Sequence, residues 1–159
     1  MLLNEEDWDV VIDDDGPGET ADLVFLKRDD RELRILLVHC KYSSGNQPGS
    51  RIGDLYELCG QAAKNHKSRA EVEVILRKLI RREERRQSSG GTGIIKGDEG
   101  VLLEILDMAR LLDPNIAVVI AQPGLSKSSM SHAQSELLAC TQLYLSETYG
   151  SDFRVLCSS

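Results

Sequence analysis

Asp22 and the triplet His39-Cys40-Lys41 stand on two consecutive strand-like runs, Glu19 to Leu26 and Leu33 to Ser43. A carboxylate on one strand and a lysine on the next can hold a divalent metal beside an ammonium group. That is the chemistry needed to attack a phosphodiester. The seventeen positions from Asp22 to His39 span one hairpin with a charged turn, Lys27 to Glu32, so both residues reach the same end of a sheet. His39 and Lys41 are two apart and share a strand face. Cys40 points the other way and leaves its carbonyl for a metal.

The elements that must position these residues follow from periodicity. Trp8 to Ile12 reads as a short strand ended by the turn cluster Asp13-Asp-Asp-Gly-Pro-Gly18. Strands at about 20–27 and 33–40 complete a three-strand antiparallel meander, and Tyr42 to Ser50 reads as a loop. Arg51 to Lys67 has helical spacing, with Ile52, Leu55, Cys59, Ala62, Ala63 and His66 on one face and Asp54, Glu57 and Gln61 opposite. Ser68-Arg-Ala-Glu opens a second helix with a capping-box pattern, apolar at Val72, Ile75, Leu76, Leu79 and Ile80. Its polar side carries Arg77, Lys78, Arg81, Arg82, Arg85 and Arg86.

Residues 87–97 read as a flexible loop. Asp98 caps a third helix to about Leu112, and Asn115 to Ala121 is a buried central strand. A loop from Gln122 to Lys127, a long helix at about 129–148 and a strand at 153–157 close the chain. The last two strands, joined by a crossover helix, are expected to be parallel neighbours. The fold class expected is α/β, a mixed central sheet (the antiparallel meander plus two later strands) flanked by helices.

The 159 residues, 41% apolar and 28% charged, are expected to form one domain, 1–159, burying roughly two thirds of its surface. No apolar run approaches a membrane span and no signal peptide opens the chain, so a cytoplasmic protein without membrane contact is expected. A net charge of −7 and 4% aromatic residues argue against broad electrostatic or stacking platforms for nucleic acid. The basic cluster on the second helix offsets this locally. Four cysteines without Cys-x-x-Cys spacing read as free thiols. Cys59 and His66, seven residues apart on a helix, lie too far apart for one zinc ion.

Over residues 8–67 the chain resembles the PD-(D/E)xK nuclease superfamily, on the strength of Asp22 on the second strand and Lys41 ending the third. In that family an acidic residue on the second strand and an acidic-x-Lys motif on the third bind Mg²⁺ and activate water. The resemblance implies a restriction-endonuclease-like sheet and a nuclease domain dependent on Mg²⁺ or Mn²⁺. It implies Asp22, His39, Lys41 and Gln61 as catalytic residues, and Asp22, His39, the Cys40 carbonyl and Glu19 as metal ligands. Gly60-Gln61-Ala62 resembles the glutamine that RecB-like members place on the helix after the lysine strand. His39 departs from the pattern, standing where a carboxylate is expected. Imidazole suits Mn²⁺ better than Mg²⁺, and Glu19, Asp13–Asp15 or Glu57 are alternative sources of the missing carboxylate.

The partner implied is nucleic acid, with DNA expected, and further domains of a larger protein such as a helicase. Arg81 and Arg85, with Ser126 and Lys127 in the later loop, are candidate phosphate contacts. The second reading is a catalytically inactive nuclease fold serving as a binding module. A third is a phospholipase-D-like phosphodiesterase, from His39-x-Lys41 with Asn46 in place of its aspartate.

Overall fold

Apolar runs bounded by charged turns build the sheet, and helical spacings build its cover. The computed structural model describes residues 6–42, 49, 51–65 and 69–158. Among them are β1 (Val10–Asp13), β2 (Leu23–Arg28), β3 (Glu32–Cys40), α1 (Gly53–Asn65) and α2 (Val72–Ser88). There follow β4 (Ile94–Lys96), α3 (Glu99–Met108), β5 (Asp113–Ser126), α4 (His132–Tyr149) and β6 (Asp152–Ser158). The six strands form one open sheet in the order β4-β1-β2-β3-β5-β6. β1 pairs antiparallel with β2 and β4, while β5 and β6 run parallel, so the sheet is mixed. No described helix is long and apolar enough to cross a membrane.

The chain divides into two units, residues 1–37 with 67–116 and residues 38–66 with 117–159. In the first, alternate residues of the strands (Val10 and Ile12; Val24 and Leu26; Leu33, Ile35 and Leu37) join one core. Val72, Ile75, Leu76, Leu79 and Ile80 of α2 complete it with Leu102 and Ile105 of α3. On the alternate positions of the strands, Val11, Phe25 and Leu36 are also buried. Trp8 meets Phe25 edge to face, ring centroids 5.4 Å apart.

In the second unit, Leu55, Leu58, Cys59 and Ala62 of α1 pack with Val118, Ile120 and Leu125 of β5 and Leu145 of α4. The parallel β5–β6 ladder runs from Ala117↔Asp152 to Gln122↔Cys157, with α4 as the crossover. Ser131 and Gln134 cap α4 reciprocally, each side chain accepting from the other residue's backbone N–H.

Apart from the additional strand β4, element order and the β5–β6 direction match the sequence reading, and Asp98 caps α3 by accepting from the Val101 N–H at 2.9 Å. Several boundaries differ. β2 begins at Leu23, so Asp22 lies just before the strand expected to carry it, and α4 begins at His132. Gln87 and Ser88 extend α2, and Ile94–Lys96 of the expected loop pair with β1. α3 ends at Met108, before Leu112. β5 continues through the expected loop to Ser126, with a register irregularity between Gln122 and Ser126 that accommodates Pro123. Asn46, His66 and Ser68, on which the phospholipase-like, zinc and capping-box readings turned, lie outside the described residues.

Glu83 explains why a glycine-rich stretch forms an edge strand. It is buried on α2. Its carboxylate accepts from the Gly93 N–H at 2.8 Å and from the side chains of Thr92 at 2.5 Å and Gln87 at 3.3 Å. Asp13 N–H then donates to Gly93 O at 2.8 Å, joining the stretch to β1. Burial alone would push the Glu83 carboxyl up. The three donors and nearby Arg86 outweigh it and hold the carboxyl below its ordinary value. A depressed value contributes stability above the ordinary carboxylate range that is lost as pH falls through the depressed one. Glu83→Ala is therefore expected to lower unfolding stability by about 1–3 kcal/mol, the cost of leaving a buried N–H unsatisfied. Urea denaturation at neutral pH and in acid checks this, the gap from wild type narrowing in acid.

Candidate functional site

Between β1 and β2 the segment Asp13 to Asp22 doubles back on itself. Gly16 and Gly18 have φ of 122° and 80°, a region that glycine enters without a Cβ clash. Gly16 N–H donates to Glu19 Oε2 at 2.9 Å, and Glu19 N–H donates to Gly16 O at 3.0 Å. Asp14 has no exposed surface. Its Oδ2 accepts from the Thr20 N–H at 2.8 Å, and its own N–H donates to Asp22 O at 2.9 Å.

α2 holds this turn from outside it in sequence. Arg82 Nε donates to the buried Asp14 carboxylate, while its Nη1 and Nη2 donate to Pro17 O at 2.8 Å and Asp14 O at 2.7 Å. Arg86 donates to Asp13 O at 2.6 Å and Asp15 O at 3.2 Å. Lys78 Nζ donates to Glu19 O at 2.9 Å.

With the turn fixed, one carboxylate oxygen each from Asp15, Glu19 and Asp22 lies within 4.8 Å of the others. Asp15 is exposed and the other two are half-buried. Opposite oxygens around Mg²⁺ stand about 4.2 Å apart, and around Ca²⁺ about 4.6–5.2 Å, from metal–oxygen lengths of roughly 2.1 and 2.3–2.6 Å. An all-oxygen set is the kind that could hold a hard divalent ion. A spacing of up to 4.8 Å is that of a Ca²⁺-sized shell, and Mg²⁺ or Mn²⁺ would require the carboxylates to close in by side-chain rotation. Burial raises the Glu19 carboxyl above its ordinary value, against the Gly16 N–H. Repulsion from Asp22, Asp15 and Asp14 adds to the rise.

Of the remaining predicted residues, Arg81 and Arg85 lie on α2 of the first unit, and His39, Cys40, Lys41, Gln61, Ser126 and Lys127 belong to the second. His39 is fully buried. That differs from the ligand or base expected at this position, because it leaves the imidazole no surface on which to meet a hydrated ion. The apolar run from Leu33 simply continues through it. Cys40 is exposed, and the Lys41 N–H donates to Ala121 O at 3.1 Å. The Lys41 ammonium pairs with Glu57 of α1. Gln61 is half-buried on the same helix. Ser126 is buried and shares a 3.0 Å hydrogen bond with Ser128, while Lys127 is exposed.

The sequence brought Glu19, Asp22 and Asp13–Asp15 into view as carboxylates. It missed the roles of Arg82, Arg86 and Lys78 in holding their turn. Comparison of the chain with protein-family models, with curated proteins and with solved structures finds no match. The chemistry of the site rests on its own geometry.

Two outcomes test that geometry. Arg82→Met strands a buried carboxylate and is expected to cost about 3–5 kcal/mol in chemical denaturation. The raised Glu19 value makes its contribution to stability full in acid and lost as pH rises through that value. Without divalent ions, Glu19→Gln is therefore expected to melt above wild type at neutral pH, the gap closing in acid. Added Mn²⁺ should raise the melting temperature of the wild type more than that of the variant.

Proposed function

We propose that the chain is a metal-dependent nuclease domain that hydrolyses phosphodiester bonds of nucleic acid, DNA being the first substrate to test. The observation that carries this reading is the convergence of Asp15, Glu19 and Asp22 on one cation-sized space. These three carboxylates are the proposed holders of Mg²⁺ or Mn²⁺. A divalent ion there supplies a water of lowered pKa and offsets charge developing on phosphate. The protein's own part is positional. Asp14 and Arg82 fix the turn, the Gly16 N–H orients Glu19, and the raised carboxyl of Glu19 makes ion uptake compete with protonation.

The resemblance to PD-(D/E)xK nucleases supports the reading through Asp22, and with it the restriction-endonuclease-like arrangement and further domains of a larger protein. The acidic-x-Lys carboxylate is absent at His39, and the proposed ion rests instead on Glu19 and Asp15 beside Asp22. A second reading, a nuclease-type fold retained as a binding module, is favoured by two observations. His39 is fully buried, and the Lys41 ammonium is already matched by Glu57.

Cleavage of plasmid, linear and single-stranded DNA with Mg²⁺ or Mn²⁺ separates the two. Asp22→Asn is expected to slow cleavage about 100-fold or more, the worth of several kcal/mol of charge stabilisation. Lys41→Ala abolishes cleavage if the lysine serves catalysis as the resemblance implies. Undiminished cleavage would make it a surface lysine. Absence of metal-dependent cleavage by the wild type, with no divalent ion bound at millimolar concentration, leaves the binding module.

A further inference from the structure

α2 carries a second charged feature in the same unit. A pocket of about 470 Å³ lies against the Pro17–Gly18 turn and is lined by Arg77, Lys78, Arg81, Arg82 and Arg85, with no carboxylate among the described residues of its wall. Its cations divide into two stripes. Lys78 and Arg82 face the turn and are engaged by Glu19 O, Asp14 and Pro17 O. Arg77, Arg81 and Arg85 recur at i, i+4 and i+8, spanning about 12 Å of helix. Arg77 has a 3.6 Å contact with Glu73. Arg81 and Arg85 are exposed, and among the described residues neither has an ion-pair partner. Like charges at i, i+4 destabilise a helix, so this stripe opposes the folding of its own element. A polyanion would reverse the sign of that interaction.

We infer that this pocket is the tract on which a nucleic-acid strand lays its phosphate backbone, Arg81 and Arg85 taking successive phosphates. The substrate class rests on the nuclease reading; the pocket and its charge do not. Lys78 and Arg82 line the pocket and bond the carboxylate-bearing turn, so a strand held there lies beside the proposed cation site. A stripe about 12 Å long suits a run of phosphates better than one isolated anion.

The test is anisotropy of a fluorescein-labelled single-stranded DNA oligonucleotide, titrated in EDTA between about 50 and 200 mM salt. Comparison is with the double variant Arg81→Gln/Arg85→Gln, whose fold is checked by circular dichroism. The variant is expected to bind about 10-fold or more weakly. Its slope of log affinity against log salt should shrink by about 1.4, some 0.7 per lost phosphate contact. Lys64→Gln, an exposed cation on α1, should change neither quantity.

Any of three results overturns the tract: no binding by the wild type, unchanged affinity and slope in the double variant, or an equal loss in Lys64→Gln. Displacement by inorganic phosphate as effective as oligonucleotide phosphate also overturns it, in favour of a single-anion pocket. Binding in EDTA without cleavage in Mg²⁺ or Mn²⁺ would remove the nuclease reading and keep the tract. Cleavage with unchanged KM in the double variant would do the opposite.

Discussion

The buried ion pair between Asp14 and Arg82 is the constraint on which the candidate site depends. A carboxylate with no exposed surface would cost several kcal/mol in isolation. Here it receives the Thr20 N–H and the Arg82 guanidinium. The remaining guanidinium hydrogens go to Asp14 O and Pro17 O, and Arg86 takes Asp13 O and Asp15 O. The carbonyls of Asp14, Asp15 and Pro17 lie in a tight, glycine-bearing turn outside the described strands, and that of Asp13 lies where β1 ends. Two arginines thus do for the turn what a ladder does for a strand. The carboxylates it displays, Asp15, Glu19 and Asp22, are thereby held close together despite their mutual repulsion.

The register of α2 ties this clamp to the core. Val72, Ile75, Leu76, Leu79 and Ile80 fill the interior, and Glu83 continues that buried face to hold the Gly93 backbone. Lys78, Arg82 and Arg86 repeat every four residues along the side that meets the turn. Arg77, Arg81 and Arg85 repeat along the pocket side. A slip of one residue turns every side chain by about 100°. It would expel Glu83 and the apolar face while removing the clamp. Packing of the apolar face and placement of the carboxylates are therefore set by one helix in one register.

Features of local period were legible in the sequence. The strand runs, the Asp98 cap and the α4 crossover between parallel β5 and β6 depend on spacing within a few residues, and each is present. β4 was not legible, because three residues in a glycine-rich stretch become a strand only through Glu83 and pairing with β1. Leu58 of α1 escaped the expected apolar face although it is fully buried. For the site, the nearness of Glu19 and Asp22 follows from sequence proximity alone. The burial of Asp14 within a run of three aspartates does not, since its partner lies 68 residues away. The burial of His39 was half visible. Leu33 to Val38 is apolar on nearly every residue, the mark of a strand covered on both faces, and the histidine extends that run.

The distribution of charge gives the strongest reason to look for ligands in the first unit. Away from the turn and the outer stripe of α2, in both units, cations and carboxylates match one another, as Lys41 does Glu57, Arg34 does Glu6 and Asp29, and Arg110 does Glu73. Such exposed pairs contribute at most about 1 kcal/mol each and call for no ligand. On the turn and on the outer stripe of α2, like charges are gathered instead. Three carboxylates share one small space, and arginines follow one another at helical intervals. In a chain of net charge −7, carboxylates had room to disperse and arginines had carboxylates to pair with. Both groupings raise the energy of the protein by itself, and each is relieved by a ligand of the opposite sign. A cation for the carboxylates and a phosphate for the arginines are the two components that a metal-dependent phosphodiesterase must bring side by side.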